Sequence, residues 1–568
     1  MDKTIDCLLI GHNEMEFAEY ETFVRGMGLD SGAYRDLSYN FIRYNNKPYT
    51  ISELFNIYYY QDDELHDSLK ANFFHVSESF NAAVAYLGTY LNRRGYRFDY
   101  VNSFQYSKTE LSEKLASHDI LAVAITTTLY VSELPIIEIV DFIRTYNRTA
   151  KIIVGGPFVS TRVRTLTAAE LEYLFKTNIG ADFYVNSSQG EATLVKILEA
   201  LKNNLPLENI NNIYYKAGNH LKSTPVLREN NKLSENMVDW SLFGPRVGEY
   251  VNVRTAISCP FSCSFCGFPQ HAGQYQTAVV REIEAELIQL DKIKTHKSIH
   301  FIDDTFNIPV KRFKNLLSMM IDNKFDFKWH SYFRCQFADR EMVELMKESG
   351  CEGVFLGIES GSGQILKNMN KAADIQKYLE GIQLLKEYGI VTFGNFIVGF
   401  PGETEETVRD TIDFIETSGL DFFRAQLWYC EPITPIWRER DVYNIKGTSF
   451  NWSHRTMDSS GACDLVEKIF FTVKNSTWVP QYNFDFDSFW HLVHRGMSVE
   501  QLKDFLNSFN RAVKERLLRP SRPEASYKAM EQIKNACSPQ YRLHNPSPGG
   551  NMEKNTLIDH SEADFAFR

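Results

Sequence analysis

Apolar and polar positions follow two long strand–helix series along the chain, and then the rhythm ends. Residues 5–10 (IDCLLI), 98–102 (FDYVN), 120–127 (ILAVAITT), 151–156 (KIIVGG) and 181–186 (ADFYVN) are short runs rich in apolar residues, as strands buried on both faces require. Helical spacing lies between them. Over 81–95, Val84, Leu87 and Leu91 share a face and Gly95 is a natural stop. A second helix spans 109–117, a third is capped by Ser132 and buries Ile136, Ile139, Val140 and Ile143, and another runs over 191–203. Five strands with interleaved helices predict an α/β, doubly wound parallel sheet over residues 1–205. Residues 14–80 interrupt it. They are rich in Tyr, Phe and Asn and read as an insertion carrying a helix or two.

Residues 206–250 read as a linker with a short strand at 212–216. A second series then begins. Strands are expected at 251–257, 298–302, 329–333, 353–358, 391–398 and 422–428, with helices between them. One of these, 278–294, places Val280, Ile283, Leu287 and Leu290 on one face. Six such units predict a partial (β/α)6 barrel over 251–440, with its chemistry at the C-terminal strand ends. Residues 441–537 lose the rhythm and read as a mainly α region. Helices are expected near 460–475 and 498–517, on either side of the aromatic run WVPQYNFDFDSFW (478–490). Residues 538–568 are polar and read as a flexible tail.

Composition narrows the function. The net charge of −11 argues against a nucleic-acid surface, which needs a basic field. No apolar run is long enough to cross a membrane, and the start reads as a strand rather than a signal peptide, so a cytoplasmic protein is expected. Nine cysteines in 568 residues are too sparse for a disulfide scaffold. Three of them fall together. Cys259, Cys263 and Cys266 lie in a Cys-x3-Cys-x2-Cys loop between a strand and a helix. Three thiolates on one tight loop suit three corners of a cubane iron–sulfur cluster, leaving one iron open. The competing reading is a structural zinc site completed by His271.

The Cys-x3-Cys-x2-Cys loop, with Phe265 before its last cysteine, resembles the radical S-adenosylmethionine (SAM) superfamily over about residues 250–440. The resemblance implies a [4Fe–4S] cluster whose open iron binds SAM, and an electron transfer that yields a 5′-deoxyadenosyl radical. It extends to FLGIES (355–360) and NFIVGFPGET (395–404). By that resemblance Glu359, with Ser360, accepts from the SAM ribose, Ile397 packs on adenine, and Gly399 admits close backbone approach. Phe265 and Phe268 flank SAM, and Arg334 pairs with its carboxylate. The family's Gly-Gly-Glu after the second barrel strand is absent. IDDTFN (302–307) stands there, so Asp303 or Asp304 either takes over that role or caps the next helix.

The N-terminal sheet resembles a cobalamin-binding domain. Thr127-Thr128-Leu129 and Gly155-Gly156-Pro157 stand where that fold places a hydroxyl and bare backbone against the cofactor's nucleotide tail, and Gly190 and Glu191 stand at the next strand–helix junction. The Asp-x-His-x-x-Gly signal after the first strand is missing. The chain has Gly11-His12-Asn13-Glu14, so a histidine ligand below cobalt is not expected from that motif. The fusion as a whole resembles cobalamin-dependent radical SAM enzymes. Its segments DCLLIGHNEMEF (6–17), SGAYRDL (31–37), WSHRTMD (452–458) and PQYNFDFDSFW (480–490) resemble the phosphinate P-methyltransferases among them.

What this implies is methyl transfer from SAM, by way of cobalamin, to phosphorus or carbon of a small natural-product precursor. A flavodoxin- or ferredoxin-type electron donor is expected as partner. His330, Tyr332, Arg334 and Arg424 are candidates to bind an anionic substrate. The segment 452–490, with Trp452, His454 and Arg455, is either a substrate lid or core packing. Two other readings compete: a non-methylating rearrangement, cyclisation or ring contraction with the same cofactors, and a non-enzymatic cofactor-binding protein.

Overall fold

The computed structural model of the protein describes residues 4–60, 73–128, 130, 132–218 and 220–538. Leu129 and the residues of the expected tail from 539 onward lie outside them.

The N-terminal sheet is built on β1 (Thr4–His12). Beside it lie β3 (Phe98–Ser103), β4 (Asp119–Thr126), β5 (Lys151–Gly155) and β6 (Phe183–Val185). The spatial order β6-β5-β4-β1-β3 is parallel throughout, and reverses at β1. That reversal opens a crevice at the C-terminal strand ends, where doubly wound sheets bind ligands. The linker is more than a connector. Its strands β7 (Ile213–Ala217) and β8 (His220–Ser223) extend the sheet to seven strands by antiparallel pairing. The cap expected at Ser132 is one residue off. Glu133 is the N-cap of the helix Leu134–Tyr146 without a side-chain bond, and Pro135 fixes its first turn.

The second sheet contains the six expected barrel strands. They are β9 (Tyr250–Val253), β10 (Ser298–Phe301), β11 (Lys328–Phe333), β12 (Cys351–Glu359), β13 (Val391–Val398) and β14 (Phe422–Leu427). All pair in parallel in sequence order. Two short strands from outside the barrel segment protect its edges: β2 (Ser79–Phe80), from the end of the insertion, and β15 (Thr477–Trp478), from the C-terminal region. The N-terminal and C-terminal regions thus complete one eight-stranded sheet.

The aromatic run 478–490 leads into a helix not expected from the sequence, Phe486–His494. It plugs the barrel. Phe489 stacks on Phe393 at 5.7 Å, and Phe486 meets Phe355 at 6.0 Å. A Cβ at Gly353 would stand 2.5 Å from the Trp490 ring, so only glycine admits that indole. Each buried Phe contributes roughly 1.5–3 kcal/mol. This part of the segment is core packing. Among the described residues, the insertion forms the helices Phe17–Arg25, Gly32–Leu37 and Ile51–Tyr59 with a hairpin between the last two. It docks on the C-terminal region: Tyr20 stacks on Tyr482 at 5.1 Å, and the Ser52 hydroxyl donates to the Asn483 carbonyl at 2.8 Å.

Candidate functional site

The cysteine loop hangs from β9 by a clamp. Asp303, buried past the end of β10, accepts from the backbone N–H of Thr255 at 2.6 Å and of Ala256 at 2.9 Å, and from the Thr255 hydroxyl. Arg312 donates to the Thr255 carbonyl at 2.8 Å and the Ala278 carbonyl at 2.9 Å. Asp303 therefore positions the loop. Neither it nor Asp304 caps the next helix, whose N-cap is Pro309. Asp304 is accessible but deep in the barrel mouth. Desolvation first, then the neighbouring Asp303 carboxylate, push its carboxyl up to about 7.

Each sulfur has a polar neighbour. The Arg334 guanidinium donates to Cys263 Sγ at 3.3 Å, the Phe268 N–H donates to Cys266 Sγ at 3.4 Å, and the Thr305 hydroxyl lies 3.3 Å from Cys259 Sγ. Burial pushes the Cys266 thiol up to about 12, so its thiolate needs a bound cation. Among the described residues, the group of His, Cys and acidic side chains whose donor atoms gather within 4.8 Å of one another does not include these cysteines. His271 is also spent elsewhere, with Nδ1 3.0 Å from the Ser160 hydroxyl on the N-terminal domain. The donor set fits a cubane with three protein corners. The buried Ser258 Oγ and Arg254 Nε, which have no hydrogen-bond partner, leave polar groups for a ligand beside it.

Glu359, at the end of β12 with φ +69°, forms a buried ion pair with Lys371 at 2.8 Å. Lys371 escaped the sequence reading. Its ammonium also lies 5.4 Å from the Phe265 ring, and its carbonyl accepts from Arg334 at 3.2 Å. On the other side Asn395 donates to Glu359 at 3.4 Å, and Gln426 donates to Asn395 at 3.2 Å. A continuous polar chain therefore runs from Gln426 through Asn395, Glu359, Lys371 and Arg334 to Cys263. Asn395 and Gln426 occupy the inward register of adjacent strands, a period-2 signal from which they are legible in retrospect. Half-buried Phe265 and Ile397 belong to one apolar cluster beside this chain, as an adenine-packing role requires.

Other expected residues are committed elsewhere. Ser360 is fully buried and holds its own loop, accepting from the Ser362 N–H at 3.1 Å and lying 3.3 Å from the Thr411 hydroxyl. Gly399 (φ +94°) makes room for Trp452, whose ring a Cβ would approach to 2.5 Å, rather than for a cofactor. His454 donates to the Gly399 carbonyl at 3.0 Å, so Trp452 and His454 are core, whereas Arg455 is exposed. Phe268 is 40% exposed; its backbone, not its ring, meets Cys266. Arg334 is engaged by Cys263 and stacks over Phe261 at 3.5 Å. Arg424 is buried and donates to the carbonyls of Val479, Pro480 and Phe484 at 3.4, 2.9 and 3.1 Å; it fixes the 479–484 segment instead of offering a free cation. His330 contacts Asp487 at 2.9 Å.

Gln426 also lines a cavity of about 1410 Å³ that spans the C-terminal ends of both sheets. Ordinary small-molecule sites occupy about 300–1,000 Å³. Its walls come from the loops after β1 and β4, the insertion helices, residues 446–453 and residues 481–483. Asn13, Asn40, Asn451, Gln481 and Asn483 supply amides, and Tyr20, Met15 and Leu427 supply apolar surface. At the strand ends nearby, the Thr127 hydroxyl donates to the Gly155 carbonyl at 2.9 Å. Gly156 (φ +114°) is required there, because a Cβ would lie 2.7 Å from Thr127 Oγ1. Gly155 is different. A Cβ on it would meet only Val185, at an ordinary 3.5 Å, so no neighbour within the protein demands glycine there. Gly190 and Glu191 face the linker: Asn231 donates to Glu191 at 2.9 Å, and Glu229 accepts from the N–H groups of Ala192 and Thr193 at 2.9 and 3.1 Å. His12 is held neutral by burial, which lowers it to about 4, and its Nε2 has no partner; Asn13, Glu14 and Met15, not His12, line the cavity.

Residues 254–415 match the model of the Radical SAM superfamily. An uncharacterized methyltransferase of Pyrococcus horikoshii is 27% identical over 345 residues, 60% of this chain and 72% of the relative. Among solved structures, the radical SAM methyltransferase TsrM from Kitasatospora setae, with cobalamin and a [4Fe–4S] cluster bound, superposes at TM-score 0.52 and 19% identity, over 64% of this chain and 74% of its own. The cobalamin-dependent radical SAM enzyme OxsB, with aqua-cobalamin and SAM bound, superposes at TM-score 0.56 and 14% identity, over 81% of this chain and 76% of its own. At these identities the two structures speak to the fold. Among the described residues, no helix is long and apolar enough to cross a membrane.

Proposed function

We propose, from the match of residues 254–415 to the Radical SAM superfamily, that the chain is a cobalamin-dependent radical SAM methyltransferase. Its acceptor is phosphorus or carbon of a small natural-product precursor. The observation that carries this reading is the polar chain from Gln426, on the wall of a cavity large enough for a corrinoid, to Arg334 on Cys263 Sγ. The cavity and the cysteine loop are two ends of one site.

When bound, the cluster supplies the electron that splits SAM, and cobalamin supplies a carrier for the methyl group. The chain's own residues do the rest. Cys259, Cys263 and Cys266 hold the cluster, and the Arg334 donor stabilises negative charge on the Cys263 sulfur. Asp303 and Arg312 fix the loop that presents them. Glu359, paired with Lys371 at 2.8 Å, accepts from hydroxyl groups of SAM, and Phe265 and Ile397 flank its base. The cavity amides suit the carboxamides around a corrin ring. Thr127, Gly155 and Gly156 border the space for its nucleotide tail. The plug of Phe486, Phe489 and Trp490 closes the barrel from below and excludes water from a radical reaction.

The finer reading, a phosphinate acceptor, is supported by where the four segments with that resemblance meet. Residues 6–17, 31–37, 452–458 and 480–490 each contribute to the cavity wall. An electron donor of flavodoxin or ferredoxin type completes the proposal. The test is anaerobic turnover of the reconstituted enzyme with methyl-labelled SAM and candidate phosphinates. A product heavier by one labelled methyl supports methyl transfer. An unlabelled, rearranged product would replace it with the cyclisation reading.

A further inference from the structure

The geometry points to a second metal centre, separate from the cysteine loop, in the barrel lumen: a divalent-cation site formed by His300, His330 and Asp487. The two histidines are direct register partners on β10 and β11, and their rings stack at 4.7 Å. Asp487 comes from the plug helix and reaches both. Its Oδ1 lies 2.8 Å from His300 Nδ1 and 2.9 Å from His330 Nε2. The donor atoms of all three residues lie within 4.8 Å of one another, and both imidazoles are buried.

Hydrogen bonding alone accounts poorly for this arrangement. One carboxylate oxygen faces two imidazole nitrogens, yet neither nitrogen of His300 makes a hydrogen bond of acceptable geometry. Buried polar atoms without partners are rare, and they call for an ion or water. His330 has the outer contact that metal-binding histidines usually have: its Nδ1 lies 3.3 Å from the Ser298 hydroxyl, which leaves Nε2 for the ion. Two imidazoles and one carboxylate suit Zn²⁺ or Fe²⁺ and leave coordination positions open. The His300 ring also lies 5.2 Å from Tyr332, and an open position would take water or an anionic substrate oxygen.

The test uses the full chain with Cys259, Cys263 and Cys266 all changed to Ala, which removes the cluster's thiolates and makes the result independent of the proposed methyl transfer. After chelator treatment, Co²⁺ is titrated without oxygen, and its ligand-field bands and competition with a chromophoric chelator are read. One tightly bound equivalent is expected. Asp487→Asn and His330→Gln should lose it, and Ser298→Ala should weaken it about tenfold. Melting by circular dichroism verifies that each variant is folded. If His330→Gln does not fold, the near-isosteric Asp487→Asn decides. Absence of tight binding in the parent, or unchanged binding in Asp487→Asn, would overturn the site.

Discussion

The two parallel sheets prepare their C-terminal ends in opposite ways. At the barrel mouth the charged side chains that hold the loop are already engaged by protein: Arg334 by Cys263, Lys371 by Glu359, Asp303 by Thr255. At the N-terminal sheet the corresponding feature is a missing side chain. At Gly155 a Cβ would meet only Val185, at an ordinary contact distance of 3.5 Å. The first end is a preorganised set of charges and sulfur ligands; the second is a mould. Substitutions at the first should cost chemistry or stability outright, whereas those at the second should cost only the affinity for what fills it.

The largest effect is expected from Cys263→Ala. It should reduce reductive cleavage of SAM to background, measured as 5′-deoxyadenosine, while cobalamin stays bound to the N-terminal sheet. Loss of both together would mean that the two ends are not separable. Next, Lys371→Met strands the buried Glu359 carboxylate and should destabilise the protein by about 3–5 kcal/mol. The double variant with Glu359→Gln should recover most of that in a denaturant titration. Gly155→Val should leave the melting temperature of the cofactor-free protein close to wild type but weaken cobalamin binding about tenfold, or 1.4 kcal/mol. Unchanged affinity would remove Gly155 from the mould.

A separate effect is a pH dependence away from both ends. Burial pushes the Glu286 carboxyl up to about 8; one oxygen accepts from Trp240 Nε1 at 2.9 Å and the other has no partner. The folded chain holds that proton after the unfolded chain has released its own. Stability should therefore fall as pH rises from the ordinary glutamate range through about 8, by at most about 1.4 kcal/mol per pH unit. Glu286→Gln should flatten this slope in thermal melts between those limits. Glu403, also pushed to about 8 by burial, keeps its own share.

The same contrast explains what could be read from the chain. The cysteine spacing and the six barrel strands are local patterns, so their positions follow from sequence alone. Lys371 carries no local signal: it lies in a loop twelve residues after the carboxylate it neutralises, and only the fold joins them. The cavity walls are less legible still. Tyr20 and Tyr482 stack across most of the chain, and the edge strands β2 and β15 are too short to show a period. Arg424 illustrates the converse. Its place on an inward strand position marks it as a site residue, yet its guanidinium is taken up by three backbone carbonyls.

The most direct measurement is electron paramagnetic resonance on the anaerobically reconstituted and reduced chain, with and without SAM, alongside metal and sulfide analysis. The signal of a reduced [4Fe–4S] cluster that changes when SAM is added, and disappears in Cys263→Ala, is the predicted result. A silent spectrum with zinc in the cysteine loop and no acid-labile sulfide would contradict it.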